Sequence, residues 1–141
     1  EILFPTDGGP ASQAALDHAL DHARRYDARL HTLYVVDTTA YASLDAGAET
    51  VISSLRQEGE TALEAVAERA DDADVSVVSE IISGSPHKQL TDYAGRNEID
   101  LIVMGTHGRT GLDRYLLGSV TERVVRTADM PVLTVRVSDD D

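Results

Sequence analysis

Glycines are closely spaced in one segment of the chain, where a bound anion could approach the backbone. Gly105, Gly108 and Gly111 fall within seven residues, and Gly118 and Ser119 come directly before an amphipathic run. Glycine lets a ligand approach the main chain, and a helix N-terminus presents N–H groups and a positive dipole end. The segment therefore predicts a phosphate-binding loop, although a tight turn between a strand and a helix is the alternative. Three glycines with a Gly-Ser at the helix entry exceed what such a turn needs.

The spacing of these glycines differs from the two common nucleotide-binding motifs. The sequence contains no G-x-x-x-x-G-K-[ST], and the glycines do not follow G-x-G-x-x-G. Two further segments follow the ends of apolar runs and have residues suited to contacting a ligand, namely residues 5–9 and residues 35–37. In a doubly wound sheet, ligands bind beyond the carboxyl ends of the strands where the strand order reverses. We therefore expect the three segments and the helix that begins near Gly118 to line one pocket.

The elements that position these segments alternate along the chain. Apolar runs predict buried strands, and apolar residues at helical spacing predict helices between them. Residues 38–54 are mostly small and favour a partly helical connection that covers the site. Because the strands lack an alternation of polar and apolar residues, they indicate a parallel sheet with helices on both faces. The predicted strands are residues 1–5, 29–37, 75–82, 100–105 and 131–137, and the predicted helices are residues 11–26, 54–70, 119–128 and one from residue 86.

Composition limits the class of protein and its partners. The chain has 141 residues, of which 42% are hydrophobic, and no cysteine, which favours one cytoplasmic domain without disulfides. A net charge of −13 and the lack of a long apolar run argue against nucleic acid and membranes as partners. Asp supplies 16 of the 25 acids, and Lys88 is the only lysine. We interpret this surface as halophilic, and a general preference for arginine in the genome is the alternative.

The ordered motifs resemble those of the universal stress protein family. Gly105, Gly108, Gly118 and Ser119 have the spacing of the nucleotide-binding signature of its ATP-binding branch. The segments ILFPTDGG, LYVVD, GSPHKQL and PVLTVRV resemble further landmarks of the family in the same order. The resemblance implies one domain, residues 1–137, followed by an acidic tail, residues 138–141. It also implies a five-stranded parallel α/β sheet in three layers, as in flavodoxin-like and adenine nucleotide α-hydrolase-like folds.

The same resemblance implies ATP as the ligand, with Mg²⁺ or Mn²⁺ bridged by its phosphates. AMP or a cyclic nucleotide would share the contacts to adenine and ribose. No residue is assigned a catalytic role, so we expect at most slow hydrolysis. Residues that border adenine and ribose would be Pro5, Thr6 and Asp7, with the backbone of Val35 on the adenine edge. Residues around ribose and phosphates would be Gly105, Thr106, His107, Gly108, Arg109 and Gly111. The N–H groups of Ser119, Val120 and Thr121, with the hydroxyls of Ser119 and Thr121, would take the terminal phosphates at the helix start that follows Gly118.

One departure from the family pattern concerns the first helix. Gly9 stands where the family commonly has Ser, so a hydroxyl suited to capping that helix is missing. Ser119 is suited both to capping the last helix and to binding a phosphate.

The last predicted strand, which begins at Pro131 and ends at Val137, would expose an apolar edge. The resemblance implies that a homodimer covers this edge, and a monomer whose Arg136 and acidic tail protect it is the alternative. The leading hypothesis is a dimeric, nucleotide-dependent switch in a stress response. A nucleotide-dependent hydrolase or transferase, and an interaction dimer without nucleotide, are the alternatives.

Overall fold

The computed structural model describes residues 1–38, 47–106 and 118–136. Within these residues the chain alternates between strands and helices, as the sequence predicts. None of the described helices has the length and apolar character needed to cross a membrane. The elements, in chain order, are β1 (Ile2–Pro5), α1 (Pro10–Arg25), β2 (Leu30–Asp37), α2 (Gly47–Asp72), β3 (Val77–Gly84), α3 (Pro86–Arg96), β4 (Leu101–Gly105), α4 (Ser119–Thr127) and β5 (Val132–Val135).

The strands form one parallel sheet in the order β3-β2-β1-β4-β5. The chain first builds outward from β1 through β2 to β3, and then returns to the other side of β1 with β4 and β5. The strand order therefore reverses between β1 and β4, which is where a doubly wound sheet binds ligands. The predicted fold class, a five-stranded parallel α/β sheet, is confirmed.

Apolar side chains from alternate strand residues pack on opposite faces of the sheet. Ile2, Phe4 and Val103 belong to a core cluster that includes residues of α1 and α2. Leu3 and Ile102 belong to a second cluster that includes residues of α3 and α4. The two clusters make three layers, with the helices burying both faces of the sheet.

Helix α2 begins earlier than the sequence predicted. It starts at Gly47, inside the segment 38–54 that was expected to be a partly helical connection, whereas the predicted long helix began at residue 54. Ile52 and Leu55 pack beside a cluster formed by Tyr34, Val36 and Leu63, so tertiary packing supports the additional turns. A glycine at the start of a helix costs little free energy, although in a sequence a glycine usually indicates the end of a helix or a loop.

Two strands also differ from the expected bounds by more than one residue at an end. β3 runs from Val77 to Gly84 rather than over residues 75–82, because the Val75 N–H donates to the Ala70 carbonyl of α2 at 2.8 Å rather than to the neighbouring strand. β5 is shorter than the predicted strand of residues 131–137, and residue 137 lies outside the described residues.

Candidate functional site

The loop between β1 and α1 is held by its own side chains. The Oγ1 atom of Thr6 accepts a hydrogen bond from the Gly8 N–H at 3.1 Å. The Oδ1 atom of Asp7 accepts from the Gly9 N–H at 2.8 Å and from the Ser12 hydroxyl at 3.0 Å. Gly8 has a φ of +79°, a conformation that favours glycine. Thr6 and Asp7 thus lie in an ordered turn directly after the carboxyl end of β1.

Beside this loop, β2 extends beyond β1. The last hydrogen bond across this pair of strands runs from the Thr6 N–H to the Leu33 carbonyl at 3.0 Å. Backbone groups of a parallel strand point alternately to its two neighbours. Leu33 points towards β1, so the N–H and carbonyl of Val35 also point to that side, where β1 has ended at Pro5. The predicted residue Val35 therefore presents one donor and one acceptor at the site.

The carboxyl end of β4 is joined to the start of α4. The carbonyl of Thr106 accepts a hydrogen bond from the Gly118 N–H at 2.6 Å, and the Thr106 N–H donates to the Val135 carbonyl at 2.9 Å. Thr106 and Gly118, which flank residues 107–117, are therefore hydrogen-bonded neighbours at this edge. The predicted site residues His107, Gly108, Arg109 and Gly111 lie in this segment, outside the described residues.

Helix α4 turns its N-terminus towards the same edge. Gly118 is its N-cap, and its first intrahelical bond runs from the Glu122 N–H to the Gly118 carbonyl at 2.9 Å. The N–H groups of Ser119, Val120 and Thr121 precede that bond, so they have no acceptor within the helix. Together with the helix dipole, they form a cradle suited to an anion.

Two expectations for α4 need correction. Ser119 is not the N-cap, because it is already the first helical residue and Gly118 occupies the cap position. The hydroxyl of Thr121 was expected to take a phosphate, but it is buried and donates to the Gly105 carbonyl at 2.9 Å. The backbone N–H of Thr121 is therefore better suited to binding an anion than its hydroxyl is.

Close packing requires a glycine at position 105, in addition to its place at the site. A Cβ atom at this position would lie 2.7 Å from both the carbonyl carbon and the Cβ of Ala11 in α1. Only a glycine lets α1 approach β4 this closely. The tight-packing role could not be read from the glycine spacing, because it depends on which helix crosses β4.

A cavity of about 860 Å³ lies between α1 and α2, beside the loop that follows β1. Of the predicted residues, Thr6 and Asp7 line it, whereas those of β2, β4 and α4 do not. Its floor is apolar and includes Phe4, Leu16 and Val66. Ser12 also lines the cavity and was missed by the sequence analysis. The sequence offered one signal for Ser12, because its hydroxyl lies five residues after Asp7, near the start of the predicted helix.

The comparisons with known proteins decide the family. The model of the universal stress protein family matches residues 1–136. The chain belongs to the universal stress protein family. Universal stress protein MJ0531 of Methanocaldococcus jannaschii is 42% identical over 138 residues, which cover 96% of this chain and 81% of the relative.

Solved structures of other universal stress proteins share the fold. The structure of MJ0577 from the same organism has a TM-score of 0.87 and 30% identity, and the match covers 98% of this chain and 96% of that one. UspA of Lactobacillus plantarum has a TM-score of 0.82 and 35% identity, with 96% of each chain covered. A universal stress protein in complex with cAMP (24% identity, TM-score 0.75) and one from Arabidopsis thaliana with AMP bound (19%, 0.71) share the fold at lower identity, each over at least 92% of both chains.

Proposed function

We propose that this universal stress protein binds ATP, with Mg²⁺ or Mn²⁺, at the carboxyl edge between β1 and β4. The observation that carries the proposal is the cradle of backbone N–H groups at Ser119, Val120 and Thr121. This cradle lies beside the hydrogen bond between Thr106 and Gly118, the residues that flank 107–117. Phosphate oxygens are the anions that such helix starts commonly bind.

The β2 edge supplies recognition of the base. The N–H and carbonyl of Val35 extend past the end of β1, so they can pair with a planar ring placed there. The edge of adenine presents a ring-nitrogen acceptor beside an amino donor, which is the complementary pattern. Asp7, on the neighbouring loop, would then face the ribose.

Known adenine nucleotide complexes of the fold support this proposal. The structures solved with cAMP and with AMP are of proteins that share the sheet and its helices with this chain. Both ligands contain the adenosine part of ATP. AMP and cyclic nucleotides are therefore alternative ligands of the same site.

The divalent ion would be held mainly by the phosphates. Among the described residues, no group of three or more His, Asp or Glu side chains could hold a metal. Mg²⁺ commonly binds through substrate phosphates and few protein ligands. The ion would neutralise phosphate charge in a protein whose net charge is −13.

Nucleotide binding would act as a switch rather than as steady catalysis. A bound nucleotide would connect Asp7, Val35 and Gly118, which belong to three separate parts of the chain, and would stiffen this edge. The stiffened edge would change the binding of a partner in a cytoplasmic stress response. We expect slow hydrolysis at most, because Asp7 already accepts two hydrogen bonds within its own loop and has the nucleoside as its neighbour.

Substitution of Gly118 tests the proposal. Gly118→Asp keeps a residue suited to an N-cap but adds a negative charge where the phosphates would lie, so we expect ATP affinity to fall roughly 100-fold or more. Gly118→Ser also provides a capping side chain without the charge, and we expect a loss of less than about tenfold. Isothermal titration with ATP–Mg²⁺ measures both, and thermal melting checks that each variant is folded. Wild-type protein that fails to bind ATP, or a Gly118→Asp variant that binds like wild type, would contradict the proposal.

A further inference from the structure

The hydroxyl of Ser12 holds Asp7 at both its backbone and its carboxylate. Ser12 is the third residue of α1 and is only 7% exposed. Its Oγ atom accepts a hydrogen bond from the Asp7 N–H at 3.3 Å and donates to Asp7 Oδ1 at 3.0 Å. One buried side chain therefore restrains the main chain and the side chain of the loop acid together.

Asp7 is also tied to the start of α1 through the N-cap residue. The N-cap residue, Gly9, makes no side-chain hydrogen bond, and its N–H donates instead to Asp7 Oδ1 at 2.8 Å. The Asp7 Oδ1 atom thus accepts from both Gly9 and Ser12, which fixes the direction of the carboxylate relative to the helix. Loss of the Ser12 hydroxyl would leave the Gly9 N–H as the remaining bond of this pair.

The fixed carboxylate suits a ligand that donates hydrogen bonds. A carboxylate has about four lone-pair sites, so Asp7 can accept from a ligand hydroxyl in addition to the groups that hold it. Asp7 lies at the carboxyl end of β1 and lines the cavity between α1 and α2. The donors of adenosine are the amino group of the base and the two ribose hydroxyls. Since the backbone of Val35 faces the base in the proposed function, the hydroxyls are left for Asp7.

We propose that Ser12 is a positioning residue that orients the Asp7 carboxylate towards the ribose, and that it thereby makes the site prefer ribonucleotides to deoxynucleotides. The inference rests on the proposed nucleotide binding. A hydrogen bond to a charged acceptor is strong only in good geometry, and a site built to pair with a hydroxyl rejects a ligand without it. Ser12 would act through Asp7, without touching the ligand.

Titration with ATP, 2′-deoxy-ATP and 3′-deoxy-ATP tests the inference. We expect wild type to prefer ATP by about tenfold over at least one deoxy analogue, and Ser12→Ala to reduce that preference to about twofold or less. Asp7→Asn should lose the preference too, and adding Ser12→Ala to it should change little more, because the two residues act as a unit. Gln13→Ala is the control, since Gln13 contacts the Gly8 carbonyl of the same loop at 3.4 Å but leaves the carboxylate in place.

An isosteric pair separates the hydroxyl from simple packing. Ser12→Thr keeps the hydroxyl and should retain the preference for ATP over the deoxy analogues. Ser12→Val introduces a side chain of nearly the same shape as threonine but without the hydroxyl, and it should lose that preference. Equal binding of all three nucleotides by wild type would overturn the inference but leave nucleotide binding intact. The same holds if Ser12→Ala and Ser12→Val weaken all three nucleotides equally. If wild type binds none of them, the proposed function and the inference both fail.

Discussion

At the scale of single residues, glycines of the chain serve different physical purposes. Gly105 lies where β4 meets the first turn of α1, and its missing Cβ removes a clash with Ala11. Gly59 similarly leaves room for the ring of Tyr34, since a Cβ there would lie 2.6 Å from Cδ1. Gly118 caps α4 in an extended conformation that other residues can adopt. The glycine pattern that predicts a ligand site thus combines packing with capping.

A pair of glycine substitutions tests the packing role. Gly105→Ala should destabilise the protein by about 1–3 kcal/mol, because the added Cβ overlaps the backbone of Ala11. Gly95→Ala should instead stabilise it by about 0.4–1 kcal/mol, because Gly95 lies in α3 and has nothing within 4 Å of an added Cβ. Urea unfolding measures both free energies. Equal effects of the two substitutions would show that α1 does not pack against β4 as closely as described.

At the scale of elements, three parts of the fold meet at the amino edge of the sheet. His31 in β2 and Tyr93 in α3 are buried, and the Tyr93 hydroxyl lies 2.8 Å from His31 Nδ1. The other ring nitrogen, Nε2, lies 2.6 Å from the Oε1 atom of Glu1, which also accepts from Arg29 Nε at 2.9 Å. The chain of bonds fixes β1, β2 and α3 relative to one another, at the end of the sheet opposite the proposed site.

This arrangement predicts a specific dependence of stability on pH. The hydrogen bond from His31, followed by that from Arg29, lowers the pKa of Glu1 from 4.5 to about 2. A carboxyl whose pKa is lower in the folded state stabilises the protein above its unfolded pKa, and that contribution is lost as pH falls through the folded pKa. Between pH 4.5 and about 2, the unfolding free energy of wild type should therefore fall more steeply than that of Glu1→Gln.

Urea unfolding at a series of pH values measures this difference. Glu64→Gln, which removes an exposed carboxylate from α2, is the matched control and should keep the wild-type slope. Parallel curves for wild type and Glu1→Gln over this range would show that the bonds to Glu1 do not contribute in solution.

At the scale of the whole molecule, the sheet ends in β3 on one side and β5 on the other. The carbonyl of Pro131 accepts a hydrogen bond from Ile102 in β4, and that of Val135 accepts one from Thr106 directly after β4. The N–H and carbonyl of Thr134 therefore point away from β4. Residues Val132 to Thr134 are only half-buried in the single chain. The predicted homodimer would pair these outer groups across a two-fold axis, which covers the edge.

Proline substitution at the two edges tests the dimer. Thr134→Pro removes the outward N–H of β5 and keeps the bonds of β5 to β4, so we expect it to convert a dimer to a monomer. Ser79→Pro is the matched control, because Ser79 is exposed on β3 and its N–H also points away from the sheet. Size-exclusion chromatography with light scattering gives the mass of each. A monomeric wild type, or dissociation by Ser79→Pro alone, would contradict dimerisation through β5.

The halophilic interpretation belongs to the same scale and stays a prediction. A net charge of −13, carried mostly by Asp, concerns solubility and repulsion over the whole surface.

The sequence by itself determined the succession of strands and helices along the chain, the parallel class of the sheet and the segments at its carboxyl edge. These features follow from local apolar patterns and from glycine and proline positions, which act through neighbouring residues. Thr6, Asp7, Val35, Gly105 and Gly118 lie at that edge, as expected from their places at the ends of strands and at a helix start.

Other features depend on contacts between residues distant in the chain, so only the tertiary structure decided them. The early start of α2 follows from packing beside Tyr34, and the bond from Thr121 to Gly105 exists because α4 returns to the end of β4. Ser12 holds Asp7 because the loop turns back over the first turn of α1. The order of the strands within the sheet is likewise decided by the folded structure, since apolar runs show that strands exist but not which of them are neighbours.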